Sequence, residues 1–177
     1  MDALSKEDIY TIDDIYALPD GERAELIDGR IYYMTPPNTM HQRLLNYIST
    51  EINLYIRQKG GECEVFPAPF AVFLSKDDKD YVEPDISIIC DKDKITDKGC
   101  SGAPDWIIEI VSPSSRQMDY FTKLFKYQRA GVREYWIVDP IKEQVAVYRF
   151  EKEIVEQYSF GEEITVGIYE DFVVKMQ

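Results

Sequence analysis

The run from residue 133 to residue 139 constrains the fold of this chain more than any other stretch. Its centre, Tyr135-Trp136-Ile137-Val138, is apolar at neighbouring positions. A strand with one face in water would alternate apolar and polar residues, so a strand formed here must be covered on both faces. The run at 106–112 is also mostly apolar. Two such strands indicate a central sheet between layers of helices, which is an α/β architecture.

Three helices are expected from apolar spacing and capping signals. Thr11, with Asp14 three residues later, is typical of a helix start. In the longest helix the apolar residues recur every three or four positions, as an amphipathic helix requires. The helices are predicted at residues 11–18, 38–59 and 118–130.

Strand-like runs fill much of the remaining chain. Asp28-Gly29 separates two of them and tolerates positive backbone dihedrals, so a tight hairpin is expected between residues 24–27 and 30–34. Prolines within residues 63–74 predict a bent strand or an edge strand. Further strands are predicted at residues 82–90, 106–112 and 133–139, and a terminal antiparallel meander at 145–148, 154–160 and 172–174. The expected fold is a mixed β-sheet flanked by helices, followed by a C-terminal antiparallel meander.

Length and composition indicate one domain over residues 1–177. A chain of this size can bury a substantial core, and 45% hydrophobic with 30% charged residues is typical of a globular protein. The first residues are acidic with no apolar run behind them, and no segment reaches membrane-spanning length. We therefore expect no membrane partner and a cytoplasmic location.

The cysteine pattern gives an expectation about disulfides and zinc. Cys63, Cys90 and Cys100 are odd in number and form no CxxC pair, and the sequence has a single histidine. Neither a disulfide framework nor a zinc site is expected.

Asp85 and Glu109 are the strongest candidates for chemistry. Asp85 ends a loop before an apolar run, and Glu109 lies inside the segment Asp-Trp-Ile-Ile-Glu-Ile-Val. An ionised carboxylate in such a strand is costly unless a cation or a hydrogen-bond donor meets it. On neighbouring strands the two carboxylates could point to one side and offer hard oxygen ligands for Mg²⁺. An ion pair with lysine or arginine, or an exposed edge position, would explain them equally well.

The same segments resemble the signature of the PD-(D/E)xK enzymes, which are restriction-endonuclease-like nucleases. Glu83-Pro84-Asp85 corresponds to its first part and Glu109-Ile110-Val111 to its second, with valine at the place of the signature lysine. Between about residues 11 and 148 the chain is similar to one branch, the Uma-two family of restriction endonucleases. The motifs are Glu25-Leu-Ile-Asp-Gly-Arg-Ile, Pro36-Pro37 with His41, Gly102-Ala-Pro-Asp-Trp-Ile-Ile-Glu-Ile-Val-Ser-Pro, Asp119 with Lys123 and Tyr127, and Gly131-Val-Arg-Glu-Tyr-Trp-Ile-Val-Asp-Pro.

The resemblance implies an endonuclease that hydrolyses DNA phosphodiester bonds with Mg²⁺, for which Mn²⁺ could substitute. Asp85, Glu109 and the backbone carbonyl of Ile110 would hold the metal. Val111 cannot reach an attacking water, so the lysine would come from the following helix, where Lys123 matches and Lys126 is the second candidate. DNA is the expected partner, and a homodimer is left open.

Four more residues fall on family motif positions and are expected to support the site. Each has a plainer alternative. Glu25 could face solvent on its hairpin, and His41 could cap its helix or instead contact phosphate or relay a proton. Asp119, Lys123 and Tyr127 share one helical stripe, although an acidic and basic pair at this spacing more often stabilises an exposed helix.

The net charge of −13 opposes broad affinity for nucleic acid, which comes mainly from Lys and Arg neutralising phosphates. It favours an alternative function, a catalytically inactive nuclease-fold module that binds or regulates. A glycosidase using Glu109 and Asp85 as acid and base is a second alternative, but it would need a sugar-binding cleft of which the sequence gives no sign.

Two acidic stretches, at 76–80 and 91–99, suggest calcium binding at first sight. They lack the pattern of an EF-hand loop because Ile95 stands where an oxygen ligand is needed. Both are expected to be solvated loops. Tyr135 and Trp136 are expected in the core rather than as platforms for bases.

Overall fold

A six-stranded mixed sheet forms the centre of the structure, a computed structural model that describes residues 9–177. Its strands are β3 (Glu64–Pro67), β5 (Ile86–Ile89), β8 (Trp106–Ile110), β9 (Glu134–Asp139), β10 (Gln144–Arg149) and β11 (Ile154–Ser159). They lie in the order β11-β10-β9-β8-β5-β3, with β8 and β9 parallel and every other neighbouring pair antiparallel. The expected mixed α/β sheet is therefore confirmed, with β9 at its centre.

Within residues 9–177 the sheet is accompanied by three α-helices, α1 (Ile12–Tyr16), α2 (Thr39–Lys59) and α3 (Lys123–Ala130), and by short 3-10 helices at Lys92–Lys94 and Phe150–Lys152. The Asn38 side chain caps α2 by accepting a hydrogen bond from the His41 backbone N–H at 2.9 Å, and Gly60 ends it in the left-handed conformation. The third helix differs from the expectation because Met118–Thr122 is a π-helical turn that leads into α3. An apolar spacing pattern does not distinguish such a turn from an α-helix.

The two faces of the sheet carry separate cores because side chains alternate along each strand. Ile108 and Ile110 point to the α2 side, where they pack with Ile48 and Ile52. Ile107 and Val111 belong to the other core, which also contains Tyr127 from α3. Glu109 shares this second face, so the alternation along β8 directs its carboxylate towards α3.

The predicted hairpin forms from β1 (Ala24–Ile27) and β2 (Arg30–Tyr33). Asp28 and Gly29 have φ values of 51° and 74°, as the tight turn requires. Leu26 exchanges two backbone hydrogen bonds with Tyr81, at 2.7 and 2.8 Å, just before the chain enters β5. This bridge attaches the hairpin to the segment that carries Asp85.

The run at 63–74, predicted as one bent strand or edge strand, forms two separate strands. β3 is an edge strand of the central sheet, whereas β4 (Val72–Phe73) joins β6 (Ile95–Thr96) and β7 (Gly99–Ser101) in a small sheet. The expectation that 91–99 is only a solvated loop is therefore wrong. Gly99 is required there because a side-chain Cβ would lie 2.2 Å from the Ala71 carbonyl oxygen.

The C-terminal region follows the predicted meander only in part. β10 and β11 extend the sheet from β9 in antiparallel order. The last strand, β13 (Val173–Lys175), pairs instead with β12 (Glu163–Thr165), which the sequence pattern did not reveal. Ile164 and Val174 of this second hairpin pack into the core on the α2 side, and apolar burial explains why it leaves the meander.

The prediction that the cysteines stay unpaired is wrong. Cys63 and Cys90 form a disulfide, and the remaining Cys100 is buried. The β3–β5 register sets Glu64 opposite Ile89, so Cys63 and Cys90 face each other one residue further along, with Cα atoms 3.9 Å apart. Sequence spacing could not reveal this pair because it depends on strand register.

None of the helices formed by residues 9–177 has the length and apolar character needed to cross a bilayer.

We predict that Ile108→Ala lowers the free energy of unfolding by about 2–5 kcal/mol, because Ile108 is fully buried between the sheet and α2 and its loss leaves a cavity. Urea denaturation measures this change. The same substitution at Ile141, which is 64% exposed, should cost less than about 0.5 kcal/mol. Equal losses at the two positions would contradict the packing described here.

Candidate active site

The β5–β8 register brings Asp85 and Glu109 together. Ile86 lies opposite Ile108 in this antiparallel pair, so Asp85, the residue just before β5, lies opposite Glu109, the next residue of β8. The Ile110 N–H donates to Asp85 Oδ2 at 2.7 Å, and the Asp85 N–H makes a longer contact of 3.4 Å to Glu109 Oε2. Each carboxylate thus contacts a backbone N–H of the other segment, so the structure places the two predicted residues side by side.

Glu109 is almost completely enclosed, with 3% of its surface exposed. Its Oε1 accepts hydrogen bonds from Lys123 Nζ at 2.9 Å and from the Tyr127 hydroxyl at 2.7 Å. Burial raises the pKa of Glu109 well above its ordinary value, and the Lys123 ammonium opposes that rise. One oxygen of the carboxylate is thus held by α3, while Oε2 faces Asp85.

Lys123 is buried among three carboxylates. Its Nζ lies 2.9 Å from Glu25 Oε2, 2.9 Å from Glu109 Oε1 and 3.7 Å from Asp119 Oδ1. Burial alone would lower the pKa of Lys123, but these carboxylates raise it well above its ordinary value. Lys126, the second candidate, points elsewhere and pairs with Asp28 and Asp80.

Glu25 reaches the site from β1. It is buried, and its Oε1 accepts a hydrogen bond from the Glu83 N–H at 3.0 Å while Oε2 contacts Lys123. The alternative in which Glu25 faces solvent is wrong. Glu83 had no predicted role, although it stands in the Glu83-Pro84-Asp85 motif. Its own carboxylate accepts hydrogen bonds from the Tyr81 hydroxyl at 2.7 Å and from Arg23 Nε at 3.0 Å.

His41 approaches from the first turn of α2. Its Nε2 lies 3.0 Å from Asp85 Oδ1. The cap of α2 is the Asn38 side chain, so the His41 imidazole does not serve as the cap. Asp85 is therefore held at one oxygen by His41 and at the other by the Ile110 N–H.

Asp119 and Tyr127 complete the stripe predicted on the third helical segment. Asp119, Lys123 and Tyr127 are all buried, so the alternative of an exposed, helix-stabilising ion pair is wrong. Burial raises the pKa of Asp119 to about 6, against the lowering effects of Lys123 and Ser115. Asp119 lies in the π-helical turn, a feature that is often found at functional sites.

Comparison with known protein families shows which family this chain belongs to. Residues 12–176 match the family model of Uma2, the Uma-two family, which is described as "Putative restriction endonuclease". This chain belongs to the Uma2 family. The match covers most of the chain, which confirms the resemblance seen in the sequence motifs.

The fold of this Uma2 protein is similar to a solved structure described as a putative nuclease belonging to DUF820 from Anabaena variabilis ATCC 29413. The two chains are 23% identical, the alignment covers 89% of each, and the TM-score is 0.73. This likeness shows a shared fold. No curated protein matches the chain.

Val111 shows how this Uma2 member departs from the PD-(D/E)xK signature. Residues two apart on a strand share a face, so a lysine here would lie beside Glu109. Val111 is instead buried in the apolar core that contains Tyr127. The ammonium that contacts Glu109 comes from Lys123 on α3.

Four carboxylates lie in this region. Those of Glu25, Glu109 and Asp119 surround the Lys123 ammonium, and Asp85 lies beside Glu109. Residues 9–177 contain no group of three or more His, Cys, Asp or Glu side chains placed to hold a metal ion. Mg²⁺ does not require such a group, since it is commonly bound by one or two carboxylates with waters completing the shell. The opposed Asp85 and Glu109 fit that need; the Ile110 carbonyl as a ligand stays a prediction.

We predict that Asp119→Asn changes how stability depends on pH. Because the pKa of Asp119 is raised from 3.8 to about 6 on folding, the folded chain binds more protons than the unfolded chain between these values, and its stability falls as the pH rises through them. Asparagine removes this loss, so the free energy of unfolding of the variant should rise relative to that of the wild type between about pH 4 and about pH 6. Urea denaturation at a series of pH values measures the difference, with the exposed Asp97→Asn as control. Parallel pH curves for wild type and Asp119→Asn would rule out the assignment.

Proposed function

We propose that this protein is a metal-dependent endonuclease that hydrolyses DNA phosphodiester bonds. The observation that carries the proposal is the arrangement around Glu109, with Asp85 opposite one carboxylate oxygen and Lys123 on the other. Membership of the Uma2 family and the nuclease-like fold support it. The buried Lys123 ammonium would supply the positive charge that Val111 cannot.

Mg²⁺, with Mn²⁺ as a substitute, would be held by Asp85, Glu109 and the Ile110 carbonyl. When bound, such an ion polarises a phosphate oxygen and lowers the pKa of a bound water. His41 and the Ile110 N–H fix the two oxygens of Asp85, and the Tyr127 hydroxyl fixes Glu109 Oε1. These contacts orient the carboxylates before substrate arrives, which is the preorganisation that stabilisation of a charged transition state needs.

Lys123 also acts on Glu109 electrostatically. Burial raises the pKa of Glu109 well above its ordinary value, and the Lys123 ammonium opposes that rise and so favours the charged form that a cation requires. We propose that it also orients the attacking water and stabilises charge that develops at the phosphorus centre. The net charge of −13 opposes affinity for nucleic acid, and a nuclease tolerates it where a bound cation, rather than a basic surface, would meet the phosphate.

An inactive binding or regulatory module is the second candidate. The apolar Val111 and the net charge of −13 favour it. Calorimetry with Mg²⁺ or Mn²⁺ separates the two candidates. A nuclease should bind the ion through Asp85, whereas an inactive module should show no binding that depends on Asp85.

We predict that Asp85→Asn lowers the rate of Mg²⁺-dependent DNA cleavage at least about 100-fold, because the cation contributes several kcal/mol to the transition state. A plasmid-nicking assay with purified protein measures the rate. Asp97→Asn, the same change at an exposed position, should cleave like the wild type. Cleavage by Asp85→Asn at the wild-type rate, with an unchanged melting temperature, would refute the proposal.

A further inference from the structure

The Lys126 ammonium lies where three segments of the candidate site meet. Its Nζ is 2.9 Å from Asp80 Oδ1 and 3.0 Å from Asp80 Oδ2, and it also pairs with Asp28. The α3 helix carries both Lys126 and Lys123, whereas the β1–β2 hairpin carries Glu25 in β1 and Asp28 in its turn. Asp80 belongs to the third segment, which leads to β5. The elements that meet inside the site are therefore joined again beside it.

The pair with Asp80 is the stronger of the two ion pairs of Lys126. The Asp80 side chain is 8% exposed, whereas that of Asp28 is 72% exposed, and an ion pair open to water contributes little. Asp80 Oδ1 also accepts a hydrogen bond from the Asp28 backbone N–H at 3.0 Å. Without Lys126 the buried Asp80 carboxylate would lose the cation that contacts both of its oxygens. The backbone around Asp80 would then have to move to expose the charge to water.

The hairpin and the segment before β5 are joined into one body, which we call the hairpin unit. It consists of residues 24–33 and 79–83. Leu26 and Tyr81 exchange two backbone hydrogen bonds, and the Gly29 N–H donates to the Lys79 carbonyl at 3.0 Å. Because these bonds connect the two parts at more than one point, a displacement of one part is passed on to the other.

Apolar packing brings the hairpin unit to α3 without fixing its position. Ile27 of the hairpin and Tyr127 of α3 belong to one apolar core. The hydrophobic effect is non-directional, so polar contacts must determine how the unit sits on the helix.

Two lysines of α3 make these polar contacts. Lys123 Nζ lies 2.9 Å from Glu25 Oε2 within the site, and Lys126 follows three positions later, so the two side chains are neighbours on the helix surface. The Lys126–Asp80 pair therefore holds the hairpin unit against α3 next to the Glu25–Lys123 contact. Glu25 in turn helps to hold the Lys123 ammonium beside Glu109.

We propose that Lys126 is a positioning residue of the candidate site. Its ion pair with Asp80 holds the hairpin unit in place, so that Glu25 keeps the Lys123 ammonium next to Glu109. Lys126 is thus not a substitute for the lysine that orients the attacking water, but acts on that lysine through Glu25. Its effect on cleavage rests on the proposed function, whereas its effect on the Lys123 ammonium does not.

The kinetic test compares variants of Lys126 with the wild type in the plasmid-nicking assay. Lys126→Met should lower kcat about 10- to 100-fold and leave KM within about twofold, because a displaced Lys123 weakens contacts made in the transition state. Lys126→Arg keeps the charge and should restore most of the wild-type kcat. Lys59→Met removes another ion-paired lysine, from an exposed pair with Asp171, and should cleave like the wild type.

A double-mutant cycle separates positioning from a general loss of stability. Glu25→Ala removes the contact through which Lys126 acts, so adding Lys126→Met to it should lower kcat by less than about twofold more. Losses that multiply in the double variant, or a wild-type kcat in Lys126→Met, would overturn the inference. If Lys126→Met does not fold, Asp80→Asn takes its place in every measurement, because it breaks the same ion pair without leaving a buried charge.

Exchange of the Lys123 ammonium protons with water is a readout that does not need cleavage. NMR of the full chain with ¹⁵N-labelled lysine measures it. Lys126→Met should raise the exchange rate at least about tenfold, because the hairpin unit opens more easily, and Lys59→Met should leave it unchanged. An unchanged rate in Lys126→Met would overturn the inference even if cleavage fell. A wild type that does not cut DNA, together with faster exchange in Lys126→Met, would remove the proposed function and leave the positioning role standing.

Discussion

Glu109 carries an ionisable carboxylate in the middle of a strand whose other residues are all buried and apolar. A buried carboxylate is stable only where hydrogen-bond donors or cations contact it, so the neighbouring segments must place such groups around Glu109. α3 supplies Lys123 and Tyr127. The segment before β5 supplies Asp85, and β1 supplies Glu25 to balance the lysine.

The same requirement joins folding to chemistry. Alternation along β8 commits Ile108 and Ile110 to the core under α2 and leaves Glu109 on the α3 side. A shift of one residue in strand register would move the carboxylate to the wrong face and separate it from Lys123. The hydrophobic pattern that pairs the strands thus also sets the site, and the site needs no long flexible loop to bring its acids together.

Much of the fold followed from local patterns in the sequence. The apolar spacing of α2, the Asp28-Gly29 turn and the apolar centre of β9 each depend on neighbouring residues, and the structure has all three. The pairing of Cys63 with Cys90 and that of β12 with β13 depend on contacts between distant segments, so local patterns could not supply them. The π-helical turn was not predicted because its side chains follow nearly the same spacing as those of an α-helix.

The candidate site divides in the same way. The sequence pattern alone showed that the carboxylates of Asp85 and Glu109 need a favourable partner. It did not decide whether that partner is a lysine or arginine or a metal ion. Only the family motif pointed to Lys123. An i,i+4 pattern on a helix does not show that the lysine ammonium contacts a residue of another strand. The role of Glu83 went unseen because it acts through its backbone N–H, which carries no residue-specific signal.

A crystal of the wild-type protein soaked in Mn²⁺, with anomalous scattering recorded, tests the central claim most directly. The account predicts one anomalous peak at coordination distance from both Asp85 and Glu109, with Lys123 remaining on the far oxygen of Glu109. Absence of a peak between these carboxylates at saturating Mn²⁺, or a peak confined to other residues, would contradict it.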